Sequence, residues 1–180
     1  MFDYPKEAAV TMSEEYHAAL VCGKAARHFI ADAIKALNEL DRIKKALFYG
    51  REYMHLMNGV SLFGGSEMLT AGFETPKQGE HVLHGILGVA TEAGELLELW
   101  RDTNNGEKPF DLVNLKEEIG DLFWYAALLA REAGLTFDEI ERANIAKLRT
   151  RYPNKFTEYD ANNRNLEEEK KSLCGFLGEK

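Results

Sequence analysis

Apolar residues recur every three or four positions through most of the chain, the period of a helix with one face turned toward a core. Tyr16, Leu20, Ile30, Ile34, Leu37, Leu40 and Leu47 trace one long amphipathic helix, or two. Thr11 and Glu14 have the spacing of a capping box at its start, and Gly50 is a favourable stop. A short helical stretch is expected over Glu52 to Met57. From Gly59 to Gly79 five glycines and Pro76 break any period, which predicts a loop or lid.

The next helix is expected from about Glu80 to Asp102. Val82, Ile86, Val89, Ala93, Leu96, Leu97 and Trp100 cover one broad side of it, and Glu92, Glu95, Glu98 and Asp102 gather on another. A further helix is predicted to open near Asn114, where Asn114 and Glu117 have capping-box spacing, and to end at Gly134. Glu118 and Asp121 lie inside its most apolar stretch, beside Ile119, Leu122, Phe123, Trp124 and Ala126. Thr136 and Glu139 form a third capping-box pattern, opening a helix through Ile140, Ala143 and Leu148 that breaks before Pro153. A polar last helix over Asn162 to Leu173 is expected, with the EEEKK run at 167–171 solvated.

Composition agrees with an all-α chain. Of 180 residues 45% are hydrophobic and only 4 are proline, and alternating β-branched runs are scarce. The net charge of -8 argues against a general nucleic-acid binder, which presents a basic stripe to phosphate. Cys22 and Cys174 are the only cysteines, and neither a secretory leader nor a bilayer-length apolar run is evident, so a cytoplasmic setting with no membrane contact is expected.

Two acidic pairs then change the picture. Glu92 with Glu95, and Glu118 with Asp121, are each three apart on a helix and so project to one side. No Lys or Arg lies between His81 and Arg101 or between Lys116 and Arg131, so neither pair has a same-helix cation inside those spans. Antiparallel packing across Thr103 to Leu112 would turn the pairs toward each other. Buried carboxylates left unpaired are costly, and a hard divalent cation removes the penalty. Oxygen-only ligation suits Mg²⁺, with Mn²⁺ as a substitute, and such ions serve hydrolysis of a phosphoanhydride. Glu98, Asp102 and Glu117 read as an ordinary solvated face.

The patterns Glu92-Ala-Gly-Glu95 and Glu118-Ile-Gly-Asp121, with 22 residues between them, resemble the paired acidic motifs of MazG-like nucleoside triphosphate pyrophosphohydrolases. HGILGVATEAGELLELW (84–100), NLKEEIGDLFWYAALLA (114–130) and NIAKLRTRYPNKF (144–156) match that family in order and spacing. The resemblance implies an all-α, four-helix core that dimerises, with Mg²⁺ held by Glu92, Glu95, Glu118 and Asp121. It also implies hydrolysis of a nucleoside triphosphate to monophosphate and pyrophosphate. Asn144, Lys147 and Arg151 match the Asn-x-x-Lys-x-x-x-Arg stretch, whose basic members contact the triphosphate, and Tyr125 corresponds by position to an aromatic lining the base pocket. Their steps of three and four also place Asn144, Lys147 and Arg151 on one polar stripe. Ala46 to Arg51 looks like a sequence that related proteins carry between the acidic pairs, where this chain has Thr103 to Pro109.

The expected organisation is an N-terminal helical extension (1–50), a MazG-like core (51–165) and a polar tail (166–180), assembling as a homodimer or tetramer. Three other readings compete. Glu14 with His17 and Glu52 with His55 are Glu-x-x-His pairs of the kind found in di-iron bundles, but their order along the chain is not the usual alternation. A phosphoribosyl-ATP pyrophosphohydrolase shares the fold, and a non-enzymatic helical dimer could bind a structural ion at the same acids. The favoured expectation is nucleotide-pool cleaning.

Overall fold

A computed structural model describes residues 2–15, 17–51 and 72–175, and the expected helix at Glu52 to Met57 lies outside them. Among the described residues there are seven α-helices, one short 3-10 turn at Ala18–Leu20 and no strand. The helices are α1 (Tyr4–Ala9), α2 (Gly23–Tyr49), α3 (Pro76–Asn104), α4 (Leu112–Glu132), α5 (Phe137–Arg151), α6 (Glu158–Asn162) and α7 (Leu166–Cys174). The fold is all-α, as the periodicity predicts. None of the described helices is long and apolar enough to cross a membrane.

Local chemistry sets the helix ends, and in three places it corrects the boundaries read from sequence. Helix α3 starts at Pro76, before the expected Glu80, because the Thr75 hydroxyl accepts from Gln78 N at 3.1 Å and proline fits the first turn. Helix α4 is capped by Asp111, whose carboxylate accepts from Val113 N and Asn114 N, so the side chain of Asn114 is available for another partner. Thr11 caps nothing: its hydroxyl donates back to Ala8 O beyond α1, and α2 opens only at Gly23. The predicted stops hold at Gly50 (φ 65°) and Gly134 (φ 65°), left-handed positions that glycine adopts without strain. Thr136 and Glu139 make the predicted capping box.

The chain divides into two compact units, Met1–Ala18 with Gly134–Lys180, and Ala19–Ala133. Residues 1–50 are therefore split between them. In the unit Ala19–Ala133, α3 packs on both α2 and α4. Helices α2 and α3 run antiparallel: Leu37 meets Gly94, Asn38 Nδ2 donates to Glu98 Oε1 at 3.0 Å, and Tyr49 reaches His84. Helices α3 and α4 are also antiparallel, from His81 Nδ1 3.0 Å from Glu132 Oε1 to Gly88 against Tyr125. The backbones approach so closely there that a methyl group on Gly88 would sit 2.1 Å from the Tyr125 ring.

In the other unit, α5 packs on α1 and α7 over Ala143, Ile145 and Tyr152. Glu169, expected in a solvated run, is instead 3% exposed and clamped by two guanidinium groups. Arg151 donates to it at 2.9 and 2.6 Å and Arg164 at 3.2 and 2.7 Å, which pulls its carboxyl down to about 2. Trp100 and Trp124 are 45% and 56% exposed in this chain. Both cysteines are exposed free thiols.

Substituting Gly88→Ala is expected to destabilise the protein. The gain in helix propensity of about 1 kcal/mol is outweighed by overpacking of about 1–3 kcal/mol against a ring that cannot retreat without breaking its hydroxyl contact. Thermal unfolding checks this; an unchanged or higher midpoint would contradict the close approach.

Candidate metal centre

The inward stripe of α3 reads Gly85, Gly88, Glu92 and Glu95 at helical spacing, so the two small residues that admit α4 are followed directly by two acids. Glu92 is 6% exposed and Glu118, facing it from α4, is 4% exposed. Glu95 is partly buried. Each of the three offers one carboxylate oxygen, and these oxygens lie within 4.8 Å of one another. A cavity of about 820 Å³ opens beside Glu95 and Glu118, bordered also by Glu98, Asp102, Lys108 and Phe110.

Burial among like charges leaves its mark on the carboxyls. Glu118 is pushed up to about 7 from an ordinary 4.5, first by desolvation and then by the charges of Glu95 and Glu92, against a lowering hydrogen bond from Asn114. Glu95 is raised by burial and by Glu92 and Asp41. Both buried acids are held on one oxygen. Asn114 Nδ2 donates to Glu118 Oε1 at 2.7 Å, and Lys44 Nζ, from α2, donates to Glu92 Oε1 at 2.9 Å.

Lys44 lies on a different helix from the carboxylate it holds. It is 3% exposed, donates also to Thr91 Oγ1 at 2.7 Å, lies 3.3 Å from Asp41 Oδ1, and sits 4.9 Å from the Tyr125 ring centroid. Burial opposes its charge, but hydrogen bonds to Glu92 and Tyr125 and the Glu92 charge outweigh that and hold its pKa above the ordinary lysine value. A signal was present: Asp41 and Lys44 continue the Ile34 and Leu37 stripe of α2 at helical spacing, polar residues on the face that needs burial.

Residues 82–156 match the family model described as MazG nucleotide pyrophosphohydrolase domain. Over that segment the chain is similar to the MazG family. The match takes in most of α3 and all of α4 and α5, and it leaves out α2, which supplies Lys44. No curated protein and no solved structure matches the chain. MazG domains are generally divalent-metal dependent. The donor set here fits such an ion, since three convergent carboxylates, two of them buried, form a hard all-oxygen site whose repulsion Lys44 relieves only in part.

Asp121 is exposed on α4 and stands outside the group formed by Glu92, Glu95 and Glu118. Asp102, expected on a solvated face, is 8% exposed and holds Arg101 at 2.7 Å and Lys108 at 2.9 Å. Tyr125 is buried, with its hydroxyl 3.0 Å from that of Tyr49, and is pushed up to about 12 by burial and that contact. Beside it Phe48 stacks on His84 with ring centroids 4.1 Å apart, so the displaced Ala46 to Arg51 segment brings its aromatics to this cluster. Asn144, Lys147 and Arg151 lie in the other unit, where Asn144 donates to the Tyr4 hydroxyl at 2.6 Å and Arg151 is engaged by Glu169. Lys147 is partly buried. Of the Glu-x-x-His pairs, Glu14 and His17 are both exposed, and His17 pairs with Glu158 at 2.5 Å; Glu52 and His55 lie outside the described residues.

A raised carboxyl makes the metal-free unit Ala19–Ala133 pH-sensitive in a definite direction. Between the ordinary 4.5 and the native value of about 7 for Glu118, the folded chain binds more protons than the unfolded one. Chelator-treated protein should therefore lose on the order of 2–3 kcal/mol of stability as pH rises through that window and level off above it. Saturating Mg²⁺ should abolish the slope. Denaturant melts from pH 4.5 to 8 test this, and a metal-free stability that is flat or rising from this group would contradict it.

Proposed function

We propose that this protein hydrolyses a nucleoside triphosphate, with a deoxynucleotide favoured, to the monophosphate and pyrophosphate, and so clears or balances a nucleotide pool. One observation carries the reading: the acids that sequence spacing pairs on separate helices meet as Glu92, Glu95 and Glu118 within 4.8 Å, inside the segment that matches the MazG domain. The same segment lacks any Cys and His arrangement for covalent catalysis, so water is the nucleophile.

Glu92, Glu95 and Glu118 would hold Mg²⁺, with Mn²⁺ as a substitute, and Asp121 one turn beyond Glu118 completes the family's pattern. The bound ion supplies Lewis acidity toward phosphoryl oxygen and cancels part of the triphosphate charge. The chain's own residues do the rest. The acids orient the attacking water; its oxygen bonds to phosphorus, the bridging phosphorus–oxygen bond breaks toward the leaving pyrophosphate, and a carboxylate takes the proton. The cavity beside Glu95 and Glu118 has room for a nucleotide-sized ligand. The resemblance alone supports Asn144, Lys147 and Arg151 as phosphate contacts and Tyr125 as a base-side aromatic; in this chain Arg151 is engaged by Glu169. We read 51–165 as the catalytic core, 1–50 as an N-terminal extension and 166–180 as a tail, in a cytoplasmic homodimer or tetramer. Ile86, Ile119 and Trp124, exposed on α3 and α4, support an assembly that covers them.

A panel of nucleoside triphosphates scored for pyrophosphate release, with Mg²⁺ and with chelator, tests the assignment. Metal-dependent release from at least one substrate is expected, and Glu118→Gln should lower kcat at least about a hundredfold with helicity unchanged. Release of orthophosphate alone, or full activity in the Gln variant, would overturn it.

A further inference from the structure

Both buried acids of the cluster share one arrangement. The hydrogen bonds on Glu118 and on Glu92 fall on Oε1 in each case, given by Asn114 and by Lys44 with Thr91, and among the described residues none falls on Oε2 of either. One oxygen is fixed and the other is left for a further partner. Ligands held in this way present their remaining lone pairs in a set direction, which is how surrounding groups raise metal affinity. Lys44 is the stronger of the two supports: its side chain is 3% exposed, and its other partners, Thr91 Oγ1, Asp41 Oδ1 and the Tyr125 ring, lock it from α2, α3 and α4 at once.

We infer that Lys44, on a helix outside the segment that matches the MazG domain, is a positioning residue for the metal centre, fixing the Glu92 carboxylate so that its second oxygen joins those of Glu95 and Glu118. The inference rests on the metal-binding reading given above. Two effects of an ammonium at this place have opposite sign. As a neighbouring positive charge it repels a cation, so its removal would tighten metal binding. As a clamp on Glu92 it orders the ligand, so its removal would weaken binding. The geometry favours the clamp, because a carboxylate stripped of its partner in a buried setting is free to turn away or take up a proton. The helix α2 is then part of the site and not only a packing partner of α3.

The test is Mn²⁺ binding by calorimetry on full-length wild type, Lys44→Met, Lys44→Gln and Lys44→Arg, with helicity and thermal melts recorded for each. Lys44→Met should weaken Mn²⁺ about 10- to 100-fold, in line with loss of a supporting partner. Lys44→Arg, which keeps charge and donors, should restore affinity to within about fivefold of wild type. If Lys44→Met fails to fold, Lys44→Gln decides: weaker binding supports the inference, and equal or tighter binding overturns it. Equal or tighter binding by a folded Lys44→Met overturns it as well. Failure of wild type to take up Mn²⁺ would sink the metal-centre reading itself, so the two failures are distinguishable.

Discussion

Mutual repulsion among Glu92, Glu95 and Glu118 in a poorly solvated space is the constraint around which the unit Ala19–Ala133 is arranged. Three carboxylates with oxygens inside 4.8 Å, two of them under one-tenth exposed, cannot all be ionised without compensation. The chain provides part of it through Lys44 and Asn114. The rise of Glu118 toward neutrality measures what is left over, and a hard divalent ion is the chemistry that removes it.

Packing and function are linked through the same few positions. Gly88 admits Tyr125, which brings α4 close enough for Glu118 to face Glu92. Tyr125 in turn lies under the Lys44 ammonium and against the Tyr49 hydroxyl, so α2, α3 and α4 are tied together one turn from the acids. A charged cluster of this kind adds little to stability and much to the precision of a site, because breaking any one contact leaves another buried charge exposed to loss. Around it the large apolar side chains Ile86 and Trp124 remain exposed in the single chain.

The helical class, the stops at Gly50 and Gly134 and the capping box at Thr136 were legible because each depends on local chemistry: period, left-handed glycine, reciprocal side-chain caps. Pairing of Glu92 and Glu95 with Glu118 was legible from spacing across two helices. The start of α3 was not, since Pro76 reads as a breaker while Thr75 makes it a first-turn residue. Nor was Lys44, because its partner is 48 positions away and only tertiary packing joins them. Glu169 failed in part for the same reason, since Arg151 lies 18 positions away, whereas Asp102 is buried by near neighbours, Arg101 and Lys108, that a polar run does not single out. Asp121 shows the converse, an acid in the most apolar stretch of α4 that faces solvent on the same side as the exposed Trp124.

Anomalous diffraction at the manganese edge, from crystals grown with Mn²⁺, addresses the central claim most directly. A peak within bonding distance of carboxylate oxygens from Glu92, Glu95 and Glu118, with Lys44 still on the other oxygen of Glu92, is the predicted result. An ordered site in which these carboxylates bind no manganese, or splay apart with only solvent between them, would contradict it.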